Sequence, residues 1–246
     1  MKLLVCVSKT PDTTTKIAFN GDSTALDTNG VQYIMNPYDE WYALVRALEL
    51  KEAQGGTVTI INVGGPENDA TIRKGLAIGA DAAVRVNTNP GSSLDVAKQI
   101  AAYAKDEGFD LVFFGKETID YNGAEVGAMV AELLDMPFIS FASTLEMDGN
   151  NATIKRDIEG GTETIELATP FTLSAAKGLA EQRIPNMRGI MMAKRKPLQV
   201  VDPVDVTQHT TVARYEMPPE KSAVKLVDAE NMDELVRLLS EEAKVL

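Results

Sequence analysis

An unbroken apolar run near the middle of the chain limits the fold more than any other feature. Leu111–Phe114 holds four apolar residues in succession, as is typical of a strand buried on both faces of a parallel sheet. After a polar loop, apolar residues recur at helical spacing between Val126 and Leu134. Asn122 is a good N-cap for this second element, and Pro137 closes it. We therefore predict a buried strand, a loop and a helix in that order.

The loop between this strand and helix, Gly115–Val126, is a candidate anion site. A helix start presents free backbone N–H groups, and ligands of parallel sheets collect at the carboxyl edge of the strands. Turns of this kind also contain Gly and Asn for conformational reasons alone. The loop is not a Walker A element, because Lys116 is followed by Glu117, and the chain contains no Gly-x-Gly-x-x-Gly motif. The loop by itself leaves a nucleotide site and an ordinary turn both open.

The composition excludes several classes of function. The 246 residues include 24 basic and 36 acidic ones, and the net charge of −12 argues against nucleic-acid binding. Cys6 is the single cysteine, which excludes an intrachain disulfide and a cysteine metal cluster, and we expect a buried, inert thiol. With one histidine, His209, a hydrolytic triad and a histidine metal site are both disfavoured. We predict a carrier or binding protein that is not an enzyme and holds no metal.

The apolar segments also predict where in the cell the protein is located. The run at the start of the chain is too short for a signal peptide, and no segment approaches the length of a membrane span. Together with the lack of paired cysteines, this predicts a cytoplasmic protein that is not itself a membrane protein.

Strand and helix patterns alternate along the first two-thirds of the chain. The predicted strands are Leu3–Val7, Thr57–Asn62, Ala83–Val86 and Leu111–Phe114. We predict helices that begin at Asn36, which serves as the cap before Pro37, at about Asn68, and at Ser93. A weak hairpin is predicted over Lys16–Asp27. Such alternation predicts an α/β fold with a parallel sheet, helices on both faces and right-handed crossovers.

The last third of the chain has a different sequence pattern. Short strands over Ser143–Met147, Thr153–Ile158 and Thr162–Ala168 are separated by Gly-rich turns, which predicts a small antiparallel extension of the sheet. Phe171–Ser174 is predicted to return to the sheet. From about Val200 the chain reads as an extended arm that ends in an amphipathic helix over roughly residues 231–244. Such a helix needs a surface to cover, on its own core or on a partner.

A basic, methionine-rich segment lies between these two parts. Lys177–Lys196 contains six basic residues and one acidic residue, Glu181, which gives a local charge of +5 on an acidic protein. Pro185, Gly189 and Pro197 are expected to limit regular structure there. A solvated loop and a surface that binds acidic partners are both compatible with this composition.

In combination, several stretches resemble a known family. From its first strand to about Pro197 the chain resembles the small (β) subunit of electron-transfer flavoproteins. The matching stretches are Asn36–Glu40, Thr71–Asp81, Gly115–Val126, Arg156–Glu163 and Ile190–Pro197. Their order and spacing make the resemblance specific.

The resemblance implies a fold, a domain division and a function. The fold would be of the adenine-nucleotide alpha-hydrolase-like type, with a nucleotide-binding domain over residues 1–197 that includes a partner-recognition loop at about 175–197. Residues 198–246 would form an arm and helix that pack on the large (α) subunit. The small (β) subunit, which is the present chain, would hold a structural AMP and dock acyl-CoA or related dehydrogenases. Electrons would then pass to an FAD shared with the large subunit and on to a quinone oxidoreductase.

The resemblance also implies site residues. The cofactor-binding residues would be Cys6, Asn36, Pro37, Tyr38, Asp39, Gly64, Gly115, Lys116, Glu117, Thr118, Ile119, Asp120, Tyr121, Asn122, Gly123, Ala124, Glu125 and Val126. Of these we assign Asp120 and Asn122–Val126 to the phosphates, mainly through backbone N–H groups. The partner-binding residues would be Glu163, Arg183, Met187, Ile190, Met191 and Lys194, with Met187 as the apolar anchor.

The sequence alone leaves alternatives open for the bound nucleotide and for the class of protein. The run Gly123–Val126 is closer to the electron-bifurcating branch of the family, whose β subunit holds a second FAD in place of AMP. Tyr121-Asn122 stands where that branch has Gly-Asp, and this favours AMP. A free-standing nucleotide-binding stress-type module would suit the α/β core. A nucleotide-cleaving or adenylating enzyme is disfavoured by the missing pyrophosphate loop and catalytic histidine.

Overall fold

A nine-stranded sheet forms the centre of the molecule in the computed structural model, which describes residues 1–221 and 223–246. In chain order the strands are β1 (Lys2–Cys6), β2 (Lys9–Pro11), β3 (Tyr33–Met35), β4 (Thr57–Val63), β5 (Ala82–Val86), β6 (Leu111–Gly115), β7 (Phe138–Asp148), β8 (Asn151–Ile158), β9 (Gly161–Ala168), β10 (Phe171–Ala175) and β11 (Leu198–Val201). The helices are α1 (Asp39–Gln54), α2 (Asp69–Ile78), α3 (Ser93–Ala104), α4 (Val126–Leu134), α5 (Met187–Ala193) and α6 (Met232–Arg237).

The order of the strands is β11-β5-β4-β1-β6-β10-β7-β8-β9. Pairing is parallel from β11 to β7 and antiparallel through β8 and β9, which confirms the predicted parallel sheet with an antiparallel extension. Leu3 of β1 lies opposite Val58 of β4 and Leu111 of β6, and in this register the three strands end within two residues of one another. The loops that follow them therefore meet at one edge of the sheet.

Alternate residues of each central strand enter two separate cores. Leu3 and Val5 pack with residues of α1 and α2, whereas Leu4 and Cys6 pack with residues of α3 and α4. The unbroken apolar character of these strands follows from this burial on both faces, and the prediction of helices on both faces is confirmed.

Some boundaries differ from the predictions, each for a local reason. β7 begins at Phe138, five residues before the predicted strand Ser143–Met147, because Phe141 adopts a positive φ of 57° at a bulge that keeps the strand paired. The predicted hairpin over Lys16–Asp27 reduces to one bridge between Phe19 and Leu26. β2 and β3, just outside it, form a two-stranded sheet instead.

Helix ends differ in the same way. Ser92, and not Ser93, caps α3 by accepting a hydrogen bond from the Asp95 N–H at 3.2 Å. The basic segment is more regular than predicted, since α5 forms there with Asn186 as its cap. The C-terminal helix is shorter than predicted, because α6 ends at Arg237 and the chain continues in a wider π turn.

The predicted arm begins at the edge of the main sheet. β11 pairs in parallel with β5, and the described residues between Val201 and α6 form no helix or strand. Ser222, within the predicted arm, lies outside the described residues. In the part of the chain that the structure describes, no helix has the length and apolarity needed to cross a membrane.

Candidate functional site

A cavity of about 650 Å³ opens at the carboxyl edge of the sheet, between the ends of β1, β4 and β6 and the start of α3. This volume falls in the range of small-molecule sites, roughly 300–1,000 Å³. The predicted cofactor residues that line it are Cys6, Gly115, Lys116, Glu117, Thr118, Asp120, Tyr121, Gly123, Ala124, Glu125 and Val126. Most of the predicted phosphate loop thus faces one cavity.

The remaining predicted residues lie elsewhere along the same edge. A second cavity of about 270 Å³ shares Lys116 and Glu117 with the first. The predicted residues that line only this second cavity are Pro37, Tyr38, Asp39, Ile119 and Asn122. Gly64 is buried and lines neither cavity, since its N–H donates to Val86 and its carbonyl accepts from Arg85, both on β5.

Asn36 lies under the loop Gly115–Val126, the predicted phosphate loop, and hydrogen-bonds its backbone. Its side-chain Nδ2 donates to the Glu117 carbonyl at 3.0 Å, and its Oδ1 accepts from the Ile119 N–H at 3.0 Å. The prediction that Asn36 caps α1 is therefore wrong, because α1 begins at Asp39 after Tyr38, which has a φ of 63°. The side chain serves buried backbone groups of the loop, which are costly to leave unpaired, and not the helix start.

Gly115 allows α1 to approach the end of β6. A Cβ at this position would lie 2.7 Å from Cγ and 2.9 Å from the backbone N of Glu40. Any larger residue would push the start of α1 away from the loop, which explains a glycine at the strand end.

The backbone between Asn122 and Val126 leaves a set of free donors at the cavity wall. Asn122 and Ala124 have positive φ values of 50° and 54°, and α4 begins only at Val126, without a side-chain cap. The predicted capping role of Asn122 is therefore wrong, since its left-handed conformation turns the chain before the helix starts. Among the described residues, no acceptor hydrogen-bonds the N–H groups of Gly123, Ala124, Glu125 or Val126. Successive N–H groups in such a turn form a concave anion site.

Two acidic groups beside the loop are held in their neutral forms. Glu40 is buried, and its Oε2 accepts a hydrogen bond from the Ser8 N–H at 2.6 Å. Burial raises the pKa of Glu40 to about 8, with smaller contributions from Asp120 and Asp39. Burial, and then the proximity of Glu40, raises the pKa of the Cys6 thiol well above its ordinary value. At neutral pH this part of the cavity therefore carries little negative charge, and the prediction of a buried thiol is confirmed.

The lysines near the cavity are already paired. Lys116 Nζ lies 2.8 Å from the Glu117 carboxylate, and this hydrogen bond raises the pKa of Lys116. Lys9 Nζ lies 3.7 Å from Glu67. The groups at the cavity that can attract an anion are therefore backbone N–H groups more than lysine side chains.

Sequence reasoning missed several residues that line the cavity. Asn62 donates to the Val7 carbonyl and accepts from Asn68, both at 2.8 Å, and these two amides support the wall beside β4. The turn-forming residues after β4 indicate a loop there, but they do not indicate the hydrogen bond between Asn62 and Asn68. Tyr215 lines the cavity from the arm, and its hydroxyl lies 3.2 Å from that of Tyr121. No local pattern indicated this contact, since the two residues are 94 positions apart.

Comparison with known proteins agrees with this architecture. A family model described as "Electron transfer flavoprotein domain" matches residues 23–206. The electron transfer flavoprotein subunit beta of Bacillus subtilis is 38% identical, with 100% of each chain covered. The human subunit beta is 34% identical over 100% of this chain and 99% of its own, and the mitochondrial subunit of Oryza sativa subsp. indica is 36% identical over 100% of each.

The chain belongs to the electron transfer flavoprotein beta-subunit family. The resemblance drawn from its motifs is thereby confirmed. Membership implies an alpha-subunit partner and a flavin in the complex, and electron transfer flavoproteins carry electrons.

The segment predicted as the partner-recognition loop contains the short helix α5, which is held against the core. Arg73 donates to the carbonyls of Ala193 and Lys196 at 2.8 and 2.7 Å, and Lys196 Nζ in turn donates to three carbonyls at the end of α2. Before α5, Arg183 forms a two-pronged salt bridge with Glu52, at 2.6 and 3.1 Å. These anchors on both sides give α5 a defined position.

The predicted partner-binding residues fall into two groups. Met187, Ile190 and Met191 are exposed on α5, and the Met187 side chain is 76% exposed. Lys194 is exposed at the end of the same helix. The other two are engaged within the chain: Arg183 pairs with Glu52 as above, and Glu163 pairs with Arg156 at 2.5 Å between β9 and β8.

Proposed function

We propose that this beta subunit binds a structural AMP in the cavity at the carboxyl edge of the sheet. We further propose that it docks acyl-CoA-type or related dehydrogenases through α5, so that electrons reach the FAD of the large subunit and then a quinone oxidoreductase. The observation that carries the nucleotide proposal is the run of free backbone N–H groups from Gly123 to Val126. The proposed location remains the cytoplasm.

The phosphate end of AMP fits this loop. A phosphate dianion would accept hydrogen bonds from consecutive amides at the start of α4, where the helix dipole also favours negative charge. The neutral forms of Glu40 and Cys6 remove repulsion that ionised groups there would create. Glu125 is exposed, so its carboxylate can turn toward solvent while its N–H faces the cavity.

The rest of the cavity suits a nucleoside. Ile61, Ile100 and Phe114 supply apolar surface, and Asn62 and Ser92 supply polar atoms. An apolar lining with a few fixed polar groups is the usual character of a small-molecule site. AMP would have a structural role there, because it joins the loops after β1, β4 and β6.

The docking proposal rests on the character of α5. Exposed Met187 and Met191 are flexible apolar side chains, and basic residues flank them on an otherwise acidic protein. Such a surface would steer an acidic face of a dehydrogenase toward it and then bury the methionines. The flavin supplies the redox chemistry when bound, whereas this chain positions the large subunit and provides the surface that binds the dehydrogenase.

A second FAD in the cavity is the alternative. The similarity of Gly123–Val126 to the bifurcating branch favours it, as does the extension of the cavity from the phosphate loop to the start of α3. Tyr121 and Tyr215 favour AMP, since both bulky side chains line the cavity and their hydroxyls lie 3.2 Å apart.

The nucleotide content of the co-expressed heterodimer tests the proposal. After denaturation and chromatography we expect one FAD and one AMP per heterodimer. Two FAD and no AMP would support the alternative. A single FAD with no second nucleotide would contradict both.

A further inference from the structure

The C-terminal arm crosses the mouth of the nucleotide cavity and is tied down on one side by α3. The Gln99 side-chain amide donates to the Val204 carbonyl and accepts from the Val204 N–H, both at 2.8 Å. Gln208 donates to the Asp95 carboxylate at 2.8 Å. Gln99 and Asp95 are only 3% and 5% exposed, so two buried polar side chains serve this part of the arm.

The arm is tied down again on the opposite side of the mouth. The Tyr215 ring stacks on Phe19, with centroids 5.1 Å apart and an interplanar angle of 15°. The Tyr215 N–H donates to the Ser23 carbonyl at 2.7 Å, and the Tyr215 hydroxyl shares a hydrogen bond with that of Tyr121. Tyr121 belongs to the phosphate loop, so this contact connects the arm to the proposed phosphate site.

The residues between the two attachments form part of the cavity wall. Thr210, Val212 and Tyr215 all line the cavity. A ligand in the cavity would therefore be enclosed by the arm, and would leave past it or past the phosphate loop. The two attachments differ in kind, since the α3 side uses buried groups whereas Tyr121 is 73% exposed. The aromatic side is the one that can open at lower free-energy cost.

We infer that Tyr121, Tyr215 and Phe19 form an aromatic latch that holds the arm across the cavity and sets how fast a bound adenine nucleotide exchanges. This inference rests on the proposed nucleotide site. Opening breaks the ring stack and the hydroxyl contact while Gln99 and Asp95 keep the first part of the arm in place, so the arm swings away between Gln208 and Tyr215. The nucleotide is released from the open form.

Release of labelled AMP from the co-expressed heterodimer tests the latch. Protein loaded with radiolabelled AMP is mixed with excess unlabelled AMP, and the retained label is followed by filtration. In Phe19→Ala, which loses the stack alone, we expect release to be roughly two- to tenfold faster, and in Tyr215→Ala, which loses both the stack and the hydroxyl contact, roughly tenfold to a hundredfold faster. The conservative Tyr121→Phe should give a smaller acceleration. Tyr103→Phe removes a hydroxyl that does not line the cavity and should release AMP at the wild-type rate.

Cleavage by trypsin after Arg214 gives a readout that needs no nucleotide. Arg214 precedes the latch residue Tyr215, so an open arm should be cleaved faster in Phe19→Ala and Tyr121→Phe than in wild type, with or without AMP. Equal release half-times in wild type and in latch variants that still bind AMP would overturn the latch alone. A wild-type heterodimer that binds no AMP would overturn the proposed site, and with it the latch.

Discussion

Replacing Asn36 by Ala should release the phosphate loop from the core. The side chain is fully buried and makes two hydrogen bonds to loop backbone, to the Glu117 carbonyl and from the Ile119 N–H, both at 3.0 Å. Alanine keeps the backbone of this position but offers neither a donor nor an acceptor. The loop would then have two backbone groups without their partners.

The magnitude follows from the cost of leaving such groups unpaired. Each unsatisfied buried group costs about 1–3 kcal/mol, so the pair amounts to about 2–6 kcal/mol if the loop stays in place. The loop can avoid part of this cost by moving into solvent, because Asp120–Glu125 is already exposed. We therefore expect a loss of about 2 kcal/mol in the free energy of unfolding, together with a displaced loop. A displaced loop no longer aligns its amides, so AMP content should fall as well.

Two measurements on the co-expressed heterodimer check this expectation. Urea unfolding gives the change in stability, and chromatography after denaturation gives AMP per FAD. Asn29→Ala is a matched control, because the exposed Asn29 side chain hydrogen-bonds Asp27 and no other residue in the described part of the chain. Asn36→Asp adds a second test, since it can still accept from Ile119 but cannot donate to Glu117 when ionised. If Asn36→Ala kept both wild-type stability and wild-type AMP content, the role assigned to this side chain would be refuted.

Two further predictions concern the buried Glu40 and the proposed docking helix α5. The pKa of Glu40 is raised to about 8 in the folded protein from 4.5, so its ionisation destabilises the fold as the pH rises from about 4.5 to 8. Glu40→Gln should remove this pH dependence. Between pH 5 and pH 8 the urea midpoint of the wild type should therefore fall relative to that of the variant. Midpoints that change in parallel with pH would contradict the raised pKa of Glu40. Met187→Ala should slow reduction by a partner dehydrogenase about five- to thirtyfold at low dehydrogenase concentration, without loss of flavin, as expected for an exposed apolar anchor. The exposed Met217→Ala on the arm is its control, and equal rates for all three proteins in a coupled reduction assay would argue against docking through α5.

Much of the architecture was predictable because its signals are local. The apolar runs that became β1, β4 and β6 are buried on both faces, and this burial requires an unbroken apolar sequence. The Gly-rich turns at Gly149 and Gly160 adopt positive φ, which is the reason their composition indicates hairpins. The position of Gly115–Val126 at the carboxyl edge followed from the parallel order of the strands.

The details of the site depended on contacts between distant parts of the chain. Asn36 followed by Pro37 is a good helix start on local grounds, yet Asn36 serves a loop 81 to 83 residues away. Tyr121 meets Tyr215 across 94 positions, and neither residue carries a local signal of that contact. The C-terminal end of α5 is connected to α2 by Arg73 and Lys196, through hydrogen bonds that span 120 positions of the chain.

The sequence by itself determined the strand and helix order, the edge of the sheet where a ligand would lie, and the family. The tertiary structure decided which polar side chains hold the loop, which backbone donors of the loop stay free, and that residues of the arm line the cavity. The physical reason is that backbone preference and apolar periodicity act between near neighbours. A buried polar group, by contrast, takes whichever partner the fold brings within about 3 Å, however far away it is along the chain.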